Sequence, residues 1–280
     1  MKKDILTSFF DKYSKNVDNA DSLGFWKLSD AIIESIIQKH IDKLYDWKEF
    51  MILDAWCWTG RWIKKIINKN KWKKIKFIAY DLFDSMLNKA KENLQWYDNV
   101  KFIKWDLQDI NLIEDNSIDL CISIYSPISF VDNSSLVIWQ IKKILKINWE
   151  ALIMWHAFHN AIDSKINNYM ADKEELSKLN NEQLVKWNDM LPYLNTYSIE
   201  TFEELWKQNW LNCVWWYWVT IYLKPQNEDW DPNNSQKSKI SLKLEEDKDF
   251  FNEIYSLEME NNSNKTLVNR GLNILAFYKK

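Results

Sequence analysis

Apolar residues recur at Ile32, Ile33, Ile36, Ile37, Ile41 and Leu44, the spacing of a helix with one buried face. Phe9, Phe10 and Tyr13 read as an earlier helical segment, so residues 1–47 are expected to be helical. Residues 51–54, a short apolar run ending in Asp54, read as a buried strand of the kind parallel sheets use. Residues 61–70 predict a helix. Residues 73–81 predict a strand that turns apolar at Phe77-Ile78-Ala79-Tyr80 and ends in Asp81. A helix over 85–94 follows, with Asp84 as its expected cap. Strands are predicted at 100–104 and 118–124, a helix at 134–145, and a strand at 151–155 after a turn at Asn148-Trp149. Residues 161–197 are polar and helical. Ser198 or Thr201 should cap the next helix, which ends near Asn209-Trp210. Residues 211–223 read as a strand or strand pair, 225–239 as an exposed loop, and 247–261 as an amphipathic helix. This alternation predicts an α/β fold, a doubly wound and mostly parallel sheet with helices on both faces. Ligands in such sheets sit beyond the carboxyl ends of the strands, at the switch in strand order.

Composition complicates that picture. The 280 residues include 3 glycines and 18 tryptophans. Together these come close to the roughly 20 glycines that an average usage of about 7% predicts. Trp56, Trp58, Trp96, Trp149 and Trp210 fall at turns and helix ends, where the backbone calls for a left-handed residue or a missing side chain. A Trp-rich carbohydrate binder would not place its indoles at turns, and local chemistry would conflict with the fold throughout. We therefore read most of these tryptophans as glycine positions, written as tryptophan because the codon UGA was translated under the wrong code. Trp26 and Trp62 are candidates for genuine tryptophans.

The net charge of −3 gives no field that would recruit nucleic acid, and the basic run over residues 64–76 reads as a solvated helix face. Cys57, Cys121 and Cys213 are too few and too scattered for a disulfide framework or a cysteine-rich zinc site, and no metal is expected. No charged-then-apolar leader opens the chain, and no apolar run approaches the roughly 18 residues of a membrane span. A soluble cytoplasmic protein is the expectation.

With glycine at 56 and 58, the stretch Leu53-Asp54-Ala55-Trp56-Cys57-Trp58-Thr59-Gly60 becomes Leu-Asp-Ala-Gly-Cys-Gly-Thr-Gly. It then resembles the first motif of class I S-adenosylmethionine-dependent methyltransferases, of the type 11/25-like kind. Gly60 comes one residue too early for a nicotinamide dinucleotide fingerprint, which argues against an oxidoreductase. The resemblance implies a seven-stranded Rossmann-like sheet and S-adenosylmethionine as cofactor. Residues 54–60 would cradle its methionine and ribose portion, with Asp54 positioning the amino group. Asp81 would take the ribose hydroxyls. Leu82 and Met86, from the stretch Ala79-Tyr80-Asp81-Leu82-Phe83-Asp84-Ser85-Met86-Leu87, would line the adenine pocket. Asp106-Leu107 resembles the adenine-contacting pair, which Trp105 precedes, and Ser123 would close the site at the end of the fourth strand. The likeness is close over 48–160 and looser over 198–280, where Arg270-Gly271-Leu272-Asn273-Ile274-Leu275 resembles a last strand. One domain over 1–280 is implied, with a helical lid at 161–197 and an inserted loop and helix at 225–261.

Methyl transfer needs alignment of the nucleophile more than a dedicated base. His156 and His159, just after the fifth strand, are candidate bases expected to titrate near neutrality. Tyr125 is a further candidate. Tyr125-Ser126-Pro127 lacks the leading amide or acid and the second proline of amino-group methyltransferases, which disfavours adenine or glutamine methylation. Tyr13, Tyr169, Met190 and Tyr193 are the residues expected to face the acceptor, a small molecule or a modified nucleoside. Residues 217–225 and Arg270-Gly271 resemble tRNA wobble-uridine carboxyl methyltransferases, so tRNA is the alternative partner; no membrane partner is expected. If Trp56 and Trp58 are genuine, the chain is instead a non-catalytic binding protein on the same fold.

Overall fold

In the computed structural model, which describes residues 2–209, 211–230, 236–267 and 269–280, the apolar runs become strands of one central sheet. The chain begins with helices α1 (Lys2–Tyr13) and α2 (Gly24–Leu44) and enters the sheet at β1 (Phe50–Ala55). There follow α3 (Arg61–Lys69), β2 (Ile75–Asp81), α4 (Asp84–Asn93), β3 (Val100–Lys104), β4 (Ile118–Ser123), α5 (Ser134–Ile144) and β5 (Leu145–His156). The insertion contributes α6 (Phe158–Asn167), α7 (Lys173–Glu182) and a small antiparallel pair, β6 (Leu184–Val185) with β7 (Leu194–Asn195). α8 (Ile199–Gln208), β8 (Asn212–Val219), α9 (Lys239–Glu246), α10 (Lys248–Asn261) and β9 (Asn273–Lys279) complete it. The seven strands lie in the order β3-β2-β1-β4-β5-β9-β8. The first five are parallel, and β9 runs antiparallel between β5 and β8.

Each face carries its own core. On one, the isoleucine row of α2 packs with Trp62, Ile63 and Ile66 of α3 against Ile52, Phe77 and Leu120. On the other, α1, α5 and α8 cover Leu53, Cys121 and Ile153. Alternate residues of β1 thus point into different cores, which is why its sequence is an apolar run and not an alternation. Ser198 begins α8 with a capping box closed by Thr201, so both expected caps contribute. No helix among the described residues is long and apolar enough to cross a membrane.

Several local expectations change. α4 starts without a side-chain cap; its N-cap is Phe83, and Asp84 lies in the first turn, ion-paired to Lys104. β5 runs straight through Asn148-Trp149. Asn148 takes the left-handed conformation (φ 69°), while residues 146–149 fall in a register shift against β4. Trp96, Trp105 and Trp149 are not left-handed, because Leu94 ends α4 at φ −112° and Trp149 is strand. Trp210 lies outside the described residues. Residues 211–223 yield one strand, β8. Nor is 225–239 simply exposed: Asp229 is fully buried and accepts the hydroxyls of Ser238 and Ser241.

Candidate functional site

β1 and β4 are neighbours with connections leaving in opposite directions, so the loop after β1 lies at the switch in strand order. That loop is the stretch Trp56–Gly60. Its amides at Trp56 and Cys57 both donate to the Tyr80 carbonyl, at 2.7 and 2.9 Å, and the Gly60 amide donates to the Cys57 carbonyl at 2.8 Å. Three alternate residues are left-handed: Trp56 (φ 76°), Trp58 (φ 55°) and Gly60 (φ 77°). Left-handed backbone costs an ordinary L-residue roughly 1–2 kcal/mol. At Gly60 a Cβ would also lie 2.5 Å from the Leu94 side chain.

Asp81, at the end of β2, organises this loop. One carboxylate oxygen accepts the Trp58 amide at 3.0 Å and the other the Phe83 amide at 2.9 Å. Burial pushes its pKa up to about 7 despite these donors. Asp54 is also buried, and burial, with Asp81 nearby, raises it well above the usual carboxylate range. Its Oδ2 has no hydrogen-bond partner. Cys57 is buried with its thiol pushed up by burial, Ala55 lies in β1, and the Thr59 hydroxyl binds Asp18.

Two cavities flank the loop. The smaller, about 70 Å³, is bordered by Lys2, Trp56, Asp81, Leu82, Asp106 and Leu107. The larger, about 640 Å³, is bordered by Tyr13, Trp58, Tyr125, His156, Tyr169 and Lys224 among others. Phe130 borders both. Phe10 packs edge-on against Trp56 and Trp58, at 5.6 and 5.3 Å between ring centroids. Both indole Nε1 atoms are buried without a partner. Ligand pockets usually span roughly 300–1,000 Å³. The acidic residues suited to a nucleoside, Asp81 and Asp106, therefore border a space too small to hold one. With tryptophan at 56 and 58, the residues present do not fit S-adenosylmethionine. Met86 and Ser123 are buried and border neither cavity.

The acceptor side is the larger cavity. Tyr125 (φ 63°) and Ser126 (φ 65°) are consecutive left-handed residues just beyond β4, strain of the kind that collects at functional sites. The Tyr125 hydroxyl binds the buried Asp30 carboxylate, which also pairs with Arg61 and Lys65. Burial and Asp30 raise the Tyr125 phenol well above its ordinary value, which disfavours its ionisation. His156 does not titrate near neutrality: burial lowers it to about 4, and its Nε2 is buried without a partner. His159 is exposed on α6 and does not border the cavity. Tyr13 and Tyr169 line it. Met190 is 57% exposed and Tyr193 lies 4.3 Å beneath the Lys178 ammonium, neither of them at the cavity wall. Sequence reasoning missed Lys224, Asn160 and Asn273, which also border it. Their only sequence signal was position: Lys224 follows β8, Asn273 opens β9 and Asn160 lies in the insertion.

The model of the family described as methyltransferase domain matches residues 52–148. No curated protein matched the chain. Among solved structures, the chain is similar to one in the complex between the Haloferax volcanii Trm112 methyltransferase activator and a methyltransferase. The TM-score is 0.58 at 12% identity, covering 96% of each chain. It is similar to an S-adenosylmethionine-dependent methyltransferase from Mesorhizobium loti, with TM-score 0.54 and 11% identity over 93% of this chain and 100% of that one. It is also similar to the [4+2]-cyclase SpnF, with TM-score 0.55 and 12% identity over 88% and 81% of the two chains. Residues 52–148 thus match the methyltransferase domain, and the sheet that contains them has the Rossmann-like methyltransferase fold.

Proposed function

We propose that the protein transfers the methyl group of S-adenosylmethionine to a small acceptor held in the larger cavity, and that positions 56 and 58 are glycine in the protein its gene encodes. The observation that carries the reading is the loop itself. Its backbone already turns as a glycine-rich loop does, left-handed at 56, 58 and 60, and hangs on Asp81 and the Tyr80 carbonyl. Trp56 borders the small cavity at Asp81 and Trp58 the large one at Tyr125 and His156, so both indoles occupy space at the loop between them. The reading is supported by the Asp81 carboxylate at the border of the small cavity, which would accept ribose hydroxyls, and by the Asp54 oxygen that has no donor.

A second reading is favoured by the filled cleft. If both tryptophans are genuine, the chain is a binding protein on this fold, and the similarity to a cyclase shows that the fold alone does not decide. The codon at position 56 separates the two. UGA supports the methyl-transfer reading, and UGG overturns it. Binding measures the same point independently: the Trp56→Gly/Trp58→Gly form is expected to bind S-adenosylmethionine with micromolar affinity and to lose it on Asp81→Ala. No binding by the glycine form would favour the non-catalytic protein.

A further inference from the structure

The larger cavity holds two polar groups that the protein leaves unmatched. One is the Lys224 ammonium. It donates to Asn160 Oδ1 at 3.1 Å and to the Arg270 carbonyl, both uncharged oxygens, and no carboxylate pairs with it among the described residues. The charged groups nearest it are Asp163 of α6, Glu258 of α10 and Arg270. Asp163 is exposed and also borders the cavity. The Glu258 carboxylate is fully buried and committed to backbone amides, accepting those of Ile221, Tyr222 and Leu223 at 2.6, 2.9 and 3.0 Å. Those three bonds fix the turn that delivers Lys224 to the cavity wall. Arg61, the other cation at the wall, is spent on Asp21 and Asp30.

The other unmatched group is the imidazole of His156, whose buried Nε2 has no partner. An unmade hydrogen bond at a buried polar atom is costly, so each group favours a ligand that completes it. A single ammonium flanked by amides suits a single negative charge; a dianion would leave one charge uncompensated against a largely apolar wall. A neutral imidazole nitrogen donates or accepts according to tautomer, and a hydroxyl serves in either case.

Resting on the methyl-transfer reading for its role as acceptor, we propose that the ligand of this cavity is a small hydroxy-carboxylic acid, its carboxylate on Lys224 and its hydroxyl on His156. Aromatic walls from Tyr13 and Tyr169 suit a planar skeleton.

Calorimetric titration with 6-hydroxy-2-naphthoate, 2-naphthoate and 6-hydroxy-2-naphthamide tests this, on the chain as it stands and on its Trp56→Gly/Trp58→Gly form. The hydroxy-acid is expected to bind about tenfold more tightly than either analogue. Lys224→Met should erase its advantage over the amide, and His156→Phe its advantage over 2-naphthoate. Because burial lowers Lys224 to about 8, affinity for the acid should also fall as pH rises through that value, an arm that needs no variant. Equal binding of acid and amide, or a pH-independent affinity between 7 and 10, overturns the proposal, as does tighter binding of 2-naphthyl phosphate. S-adenosylhomocysteine is titrated into the glycine form in the same series. Hydroxy-acid preference without S-adenosylhomocysteine binding upholds the anion site and overturns the methyl-transfer reading. The opposite pair of results does the reverse.

Discussion

Replacing Trp56 by alanine and by glycine removes the same indole and opens nearly the same cavity. The two variants therefore share the loss for a buried large aromatic, about 3–5 kcal/mol. They also share the relief of leaving no unpartnered indole N–H, about 1–3 kcal/mol. What separates them is one methyl group on a backbone at φ 76°. Alanine there pays the left-handed cost of roughly 1–2 kcal/mol. Glycine pays instead through its greater freedom when unfolded, about 0.4–1 kcal/mol. The glycine variant should thus be the more stable of the two by about 0.8 kcal/mol, within a range of roughly 0–1.6 kcal/mol.

Trp62 supplies the control. It is also buried but lies in the right-handed first turn of α3, where glycine has no steric advantage and is worse than alanine by up to about 1 kcal/mol. Urea unfolding of the four variants at 25 °C reads the difference directly, with the slopes of unfolding required to agree within each pair. The sign must reverse between 56 and 62. If alanine is the more stable residue at both positions, the left-handed loop is wrong, and with it the physical ground for placing glycine at 56.

Two further outcomes follow from buried charge. His156 has a folded pKa of about 4 against 6.5 unfolded, so the unfolded chain binds the extra proton between those values and this residue makes stability fall as pH drops from 6.5 towards 4. Asp81 is raised from 3.8 to about 7, so the native state binds the extra proton and stability falls as pH rises across that range. The slopes oppose each other, and each appears only by subtraction: His156→Phe should remove up to about 3 kcal/mol of acid sensitivity, measured by melting against pH. If the parent and His156→Phe lose stability in parallel below pH 6.5, the buried neutral imidazole is refuted. Glu258→Gln keeps shape but turns three charge-assisted bonds into one or two ordinary ones, and should cost about 2–3 kcal/mol in urea unfolding. A loss below about 0.5 kcal/mol would show that the 221–223 turn holds itself.

Strands β1, β2 and β4 were legible because each is covered on both faces, which writes burial into the chain as an uninterrupted apolar run at 52–53, 77–80 and 120–122. The α2 stripe was legible for the matching reason: one face buried, one wet. Helix ends were not. The tryptophan after α4 was expected to be left-handed because helices commonly close with such a residue, yet α4 ends at Leu94 in an ordinary conformation, and Asn148, not Trp149, takes the positive φ. A helix has several ways to satisfy its last carbonyls, so its terminus constrains a single residue weakly. Lys224 and His156 were illegible as a pair, since nothing local links the end of β8 to the end of β5. The antiparallel β9 between them brings both to the same end of the sheet.

The loop after β1 is constrained differently, and that difference bears on its chemistry. Between Asp54 and α3 the chain must reverse within a few residues while Trp56, Cys57 and Trp58 all turn their amides inward, two to the Tyr80 carbonyl and one to the Asp81 carboxylate. The donor pattern forces the alternation of left-handed residues whatever side chains stand there, and Gly60 shows which residue satisfies it without strain. Tryptophan at 56 and 58 pays that backbone cost and then buries two N–H groups with nothing to bond. In return Trp56 fills space at the cavity border beside Asp81, whose pKa burial raises, while nearby Asp54 keeps an oxygen without a donor. Packing alone has no use for two such carboxylates at the switch point of a sheet. A ligand carrying hydroxyls and an ammonium would have one, and on the methyl-transfer reading proposed above, glycine at both positions makes this strained loop the cofactor cradle.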